Sequence, residues 1–173
     1  MSADPHAMLF YGFVLERENA PEWIAGGEDE QDNELSVYDP YARWILARLA
    51  EGDAASVPDG DALQAELAGI RAARKRDREK RVSALQQRLT ELAEREPCVL
   101  EQWSMDYPGE GDWIVYVRAS LQGSAPYGAH SVDVSALSSA PTAAWDEQLA
   151  AFAQRLGLPA TDAGWQLIGC CYS

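Results

Sequence analysis

Histidine, cysteine and closely spaced carboxylates are the side chains from which a small protein builds a catalytic or metal centre, and this chain is poor in the first two. His6 and His130 are its only histidines, and Cys98, Cys170 and Cys171 its only thiols. A thiol beside an imidazole makes an activated nucleophile. His130, in a Gly/Ala-flanked loop with Asp133 three residues on, is the natural base for such a pair. Against this, the thiols fall in segments that read as strands, where a buried cysteine packs as a small inert hydrophobe. On a strand Cys170 and Cys171 face opposite sides, so at most one lines a given site. His6 falls in a terminus expected to fray. The residues therefore predict no catalytic centre. The alternative is a small-ligand-binding protein or Cys/His-dependent enzyme built near His130, Cys170 or Cys171.

Metal and phosphate chemistry have no better footing. There is no CxxC, HExxH or paired-histidine spacing, no Walker sequence and no GxSxG. The run Glu28 to Glu34 is rich in hard oxygen ligands but lacks the central Gly and distal Glu of a calcium loop. Asp106, Glu110 and Asp112 cluster in a turn, where acids are ordinarily solvated and nothing raises a pKa. Neither a metal nor a cofactor is expected.

The most distinctive spacing is basic. Arg71, Arg74, Arg78 and Arg81 recur at three, four and three residues, which is one face of a helix. On either side that face is apolar, with Leu63, Leu67 and Ile70 before it and Val82, Leu85, Leu89 and Leu92 after it, drifting by only roughly 50° at about 100° per residue. Residues 71–81 hold seven of the fourteen Lys and Arg and two acids, a net of +5. The whole chain is −14, so the remainder is −19. Three readings fit the row: a stretch of helix standing in water, a match for the acidic loop Glu28 to Glu34, or a docking surface for an anionic partner. Guanidinium forks suit the last, since they grip carboxylates and phosphates in pairs. A protein partner is favoured over nucleic acid, because −19 elsewhere repels phosphates. A homodimer through the apolar parts of the long helix is a further option, although an interrupted stripe is a weak coiled-coil signal.

Aromatic residues give a second candidate. Of six tryptophans, Trp44, Trp145 and Trp165 fit the apolar stripes of their elements, and Trp103 and Trp113 flank a turn across which they could stack. Trp23, after Ala20, Pro21 and Glu22 and close to the acidic loop, is the one expected to be exposed and to anchor a partner.

The elements that position these residues follow from periodicity. Met8 to Leu15 is apolar on both alternating faces and predicts a central strand, with Gly12 marking a bulge or a close backbone approach. Asp39 and Pro40 cap a helix with Tyr41, Trp44, Ile45 and Leu49 on its buried stripe. The longest helical pattern runs from about Asp61 to Arg95, as one helix or two, before Pro97. Cys98 to Met105 and Trp113 to Leu121 read as a hairpin across a Pro/Gly-rich connector, and Val132 to Val134 as a short edge strand. Trp145, Leu149, Phe152 and Leu156 mark another helix, ended by Gly157, and Trp165 to Tyr172 a last strand.

The result is an α+β fold with an antiparallel or mixed β-sheet of about four to five strands and helices packed on one face. Residues 1–173 read as a single domain, with 59–96 as a long helix or helical hairpin excursion within it. The apolar fraction of 47% suits a globular chain rather than a disordered one. The first residues show no signal-peptide pattern and no apolar run is long enough to span a bilayer, so a cytoplasmic location and no membrane partner are expected. An odd, partly adjacent set of cysteines fits reduced thiols. Arg outnumbers Lys twelve to two, pointing to a GC-rich bacterial or phage genome. The function expected is a small acidic protein-interaction or inhibitor-type accessory protein, with a self-assembling structural subunit as another alternative.

Overall fold

The computed structural model describes residues 6–25, 35, 37–103, 111–122, 134–159 and 162–170. It groups them into two compact units. One is built from the chain up to Ala20 and from Pro97 onwards, the other from Pro21–Glu96.

The first is a sheet unit. Strands β1 (His6–Leu15), β2 (Cys98–Trp103), β3 (Asp112–Val117) and β4 (Gly164–Cys170) form one sheet in the order β2-β3-β1-β4, every neighbouring pair antiparallel. β1 is central, as its two-sided apolar pattern predicts. Its odd residues and their partners face helix α6 (Thr142–Leu156), which packs across β1, β2 and β3. Phe13, Leu15, Val115, Leu100 and Cys98 are buried on that side together with Leu149, Phe152 and Leu156 of the helix. The even residues make a second apolar layer on the opposite face: Met8, Phe10, Ile114 and Tyr116, with Val14, Val99, Trp103 and Ile168 against them. Gly12 is the close approach expected of it. A methyl group there would lie 2.0 Å from the Val115 carbonyl oxygen and 2.7 Å from the Tyr116 Cα. α6 ends where Gly157 takes the left-handed conformation at φ 68° that favours glycine.

Three expectations need correction in this unit. His6 does not sit in a frayed end: its backbone opens β1 and pairs with Cys170. Val134 is not in a strand but begins helix α5 (Val134–Ser138), while Val132 and Asp133 lie outside the described residues. Trp103 and Trp113 do not stack across the hairpin. Trp103 pairs with Asp112 and Trp113 with Gln102, one residue out of step, so the two indoles face opposite sides of the sheet.

The second unit is helical: α1 (Glu22–Ala25), α2 (Pro40–Ala50), α3 (Gly60–Ala72) and α4 (Lys75–Arg95). α2 starts as its sequence predicts. Asp39 Oδ1 accepts from the backbone N–H of Tyr41 at 2.8 Å and of Ala42 at 3.1 Å, with Pro40 in the first helical position. Tyr41, Trp44, Ile45 and Leu49 are all buried. The 61–95 pattern resolves into two helices. Ala73 and Arg74 take extended backbone, with ψ 146° and 151°, and the chain reverses between α3 and α4. Leu63, Leu67 and Ile70 are buried on α3, and Leu85, Leu89 and Leu92 on α4. Such a hairpin buries two stripes that a straight rod would leave in water, at a cost of only two non-helical residues. Arg88 of α4 reaches Asp59 at the start of α3 in an ion pair that joins the far end of the hairpin.

Candidate functional site

The basic segment sits at the turn of the α3–α4 hairpin. Arg71 is exposed in the last turn of α3, where a cation complements the negative end of the helix dipole. Arg74 is exposed at the N-cap of α4, and its side chain makes no capping bond. Lys75, Arg76 and Lys80 follow, all exposed. Cations at a helix N-terminus oppose its dipole, and the acids Asp77 and Glu79 offset only part of that. The turn is thus a local concentration of positive charge, from side chains and backbone N–H groups together, on a chain of net charge −14.

The four arginines do not form one continuous stripe, because the extended residues 73 and 74 break the helix that would have aligned them. Arg78 is half-buried and belongs to the α4 stripe that continues through Val82, Leu85 and Leu89. The Arg81 guanidinium lies against α3: a methyl group on Gly69 would come 2.9 Å from its Nη1. Arg71 and Arg74 therefore have solvent-facing roles open to them, whereas Arg78 and Arg81 also take part in hairpin packing. Trp23, expected to be exposed, is half-buried in α1 beside the fully buried Ile24. The acidic loop Glu28 to Glu34, His130, Asp133, Cys171, Asp106 and Glu110 lie outside the described residues.

The remaining polar chemistry is in the sheet unit. Cys98 is a buried thiol, only 1% exposed. The Tyr11 hydroxyl donates to Asp146 Oδ1 at 2.8 Å, pinning the N-terminal half of α6 to β1. Burial and then the Asp146 carboxylate raise the Tyr11 pKa above its ordinary value, the wrong direction for a phenolate base. Tyr11, Trp145 and Trp165 pack as three mutually tilted rings with centroids 5.5–5.8 Å apart. Rings that close already fill one another's faces, so the trio is a packing cluster and not an open cage for a cation. On the other face, burial raises the Glu101 pKa, against the lowering effects of the Tyr116 hydroxyl and Arg118. Burial and the Glu101 charge push Tyr116 up to about 12. Among the described residues no group of three or more His, Cys, Asp or Glu is placed to hold a metal ion, and no helix is long and apolar enough to cross a membrane.

Three large apolar side chains are exposed among the described residues: Leu121, at 40%, and two more that escaped the sequence reading. Tyr38, just before the Asp39 cap, is 84% exposed, and Leu167 of β4 is 73% exposed. Leu167 alternates with Trp165 like any half-buried strand residue, and its exposure depends on β4 lying at the sheet edge. No protein-family model, curated protein or solved structure matches this chain significantly.

Proposed function

We propose that this protein is a small acidic interaction module, of inhibitor or accessory type and of bacterial or phage origin, which works in the cytoplasm by docking the basic turn of its α3–α4 hairpin on an acidic protein surface. The observation that carries the reading is the concentration of exposed Arg71, Arg74, Lys75, Arg76 and Lys80 around the uncapped start of α4. Like charges gathered against a helix dipole cost stability locally, and an anionic partner relieves that cost while repulsion elsewhere on the −14 chain fixes orientation. A protein carboxylate surface suits the site better than nucleic acid, whose dense phosphates would meet the acidic remainder of the molecule.

The test is a tagged pull-down from nuclease-treated bacterial lysate at low and high salt, with wild type beside Arg71→Glu/Arg74→Glu. The expected result is a partner retained by wild type at low salt, released at high salt and lost in the variant. A partner held equally by both proteins removes the hairpin turn from the account. Binding that disappears with nuclease moves the reading to nucleic acid.

A further inference from the structure

Among the described residues the sheet has two edge strands, β2 and β4, and they differ. β2 carries Glu101 within it. Charged residues and prolines are the usual means of stopping an edge strand from pairing with a neighbour. β4, from Gly164 to Cys170, has no charged residue and no proline. Its backbone is also turned to receive a strand. Leu9 of β1 exchanges both backbone bonds with Gln122, at 3.3 and 2.9 Å, and the Tyr11 N–H goes to Ser120 Oγ at 2.8 Å, all on the side away from β4. Antiparallel alternation then gives the bonds with β4 to Met8, Phe10 and Gly12, whose partners are Ile168, Gln166 and Gly164. Trp165 and Leu167, opposite Tyr11 and Leu9, point their N–H and C=O groups outward, as does Gly169 opposite Ala7.

We infer that β4 pairs with β4 of a second copy of this chain, antiparallel about a two-fold axis at Leu167, to make one continuous sheet through both copies. The occupant follows from self-complementarity. Leu167 is the midpoint of Gly164–Cys170, so a two-fold there is the register in which all seven residues pair. It sets Leu167 against Leu167 as a bonded pair and lays each Trp165 opposite the partner's Gly169. A large ring thus meets a position with no side chain, a match that favours cross-strand packing. With no charge on the strand, nothing in it opposes a copy of itself. Leu167 removes its exposed side chain from water in the process. Two bodies of charge −14 repel, and salt screens that repulsion while leaving backbone pairing intact, so the dimer strengthens with ionic strength. This is the opposite salt response to the one proposed for the hairpin turn.

Sedimentation velocity of the full chain over a concentration series, at low and high salt, tests this. The expected result is a reversible monomer–dimer equilibrium with more dimer at high salt. Leu167→Lys, which sets two like charges face to face, should raise the dissociation constant about tenfold or more, while the circular dichroism spectrum and melting temperature stay put at a concentration where both proteins are monomeric. Leu167→Cys supplies a readout independent of that variant's folding. A bonded antiparallel pair brings the Cα atoms to about 5.5 Å, within disulfide reach, so mild oxidation should give a 167-to-167 cross-link identified by mass spectrometry. A monomer at every concentration in high salt overturns the inference. So does a dimer indifferent to Leu167→Lys, such as one formed through the helices, or a dimer in which the Cys variant does not cross-link at 167.

Discussion

The sheet unit and the helical unit solve their cores in the same way and their surfaces in opposite ways. Each hides apolar stripes whose period matches its elements, period two in β1 and period 3.6 in α3 and α4. Each then leaves one exposed region that breaks a local rule. In the helical unit cations crowd the N-terminus of α4 against its dipole. In the sheet unit an edge strand lacks the charges that normally guard it. If they serve as proposed above, the first binds electrostatically and is weakened by salt, and the second pairs through backbone and apolar contact and is strengthened by it. Rules that folding alone would enforce are relaxed most readily where a surface has another use, and here the two relaxations use different physics.

The largest expected effect checks that each unit has its own backbone constraint. Gly12 in the sheet unit and Gly60 in the helical unit are both jammed against a carbonyl. A methyl would lie 2.0 Å from the Val115 oxygen in one case and 1.9 Å from the Ala54 oxygen in the other. Backbone cannot step aside as a side-chain tip can, so Gly12→Ala and Gly60→Ala should each lose about 3 kcal/mol or more in denaturant melts. Backbone amide shifts should place the damage around β1 and β3 for Gly12→Ala, and around α3 for Gly60→Ala. Either variant melting within about 0.5 kcal/mol of wild type would show that its contact is not a constraint.

A smaller effect separates the two kinds of arginine in the basic segment. Arg71 and Arg74 are exposed, so Arg71→Ala and Arg74→Ala should shift stability by no more than about 0.5 kcal/mol. Arg78 lies half-buried on the α4 stripe, and its aliphatic stem covers apolar surface, so Arg78→Ala should lose about 1 kcal/mol. Chemical denaturation of the three variants decides it. Equal losses would mean that Arg78 is as solvated as the others and that the row acts as a uniform charge patch.

Much of this fold was legible because local chemistry and tertiary context agree. The Asp39–Pro40 cap, the Trp145, Leu149, Phe152 and Leu156 stripe, the stop at Gly157 and the two-sided β1 each state their structure within a few residues. The break at Ala73 and Arg74 was not legible. It contains neither Gly nor Pro, and it exists because Leu63, Leu67 and Ile70 can then face the stripe of α4. The faces of Trp103 and Trp113 turn on a one-residue register that no single strand encodes. For the candidate surfaces, the basic run was plain in the sequence, but which guanidiniums point outward depends on the hairpin. The place of β4 at the edge of the described strands was invisible, since an edge is a property of strand order.

The smallest effect concerns the Glu101–Tyr116 pair, and it turns the contrast from salt to pH. The Tyr116 hydroxyl donates to Glu101 Oε2 at 3.5 Å on the second face of the sheet. Burial raises the Glu101 pKa above 4.5. Between that value and the raised one the folded chain holds a proton that the unfolded chain has released, so this group's contribution is complete below pH 4.5 and is lost as pH rises through the folded pKa. Glu101→Gln, uncharged throughout, should match wild type at the acid end and exceed it at neutral pH. Tyr116 follows the same sign at the alkaline end, where its contribution falls between pH 10 and about 12. The Glu101 charge is one of the causes that hold Tyr116 high. Glu101→Gln should therefore also shrink the alkaline loss, which still begins near pH 10 but ends at a lower pH, and Tyr116→Phe should abolish it. Denaturant melts across the pH range read all three. A Glu101→Gln difference that is constant with pH would mean that the carboxylate is already solvated, and the second face of the sheet would then be wetter than its apolar neighbours Phe10 and Ile114 imply.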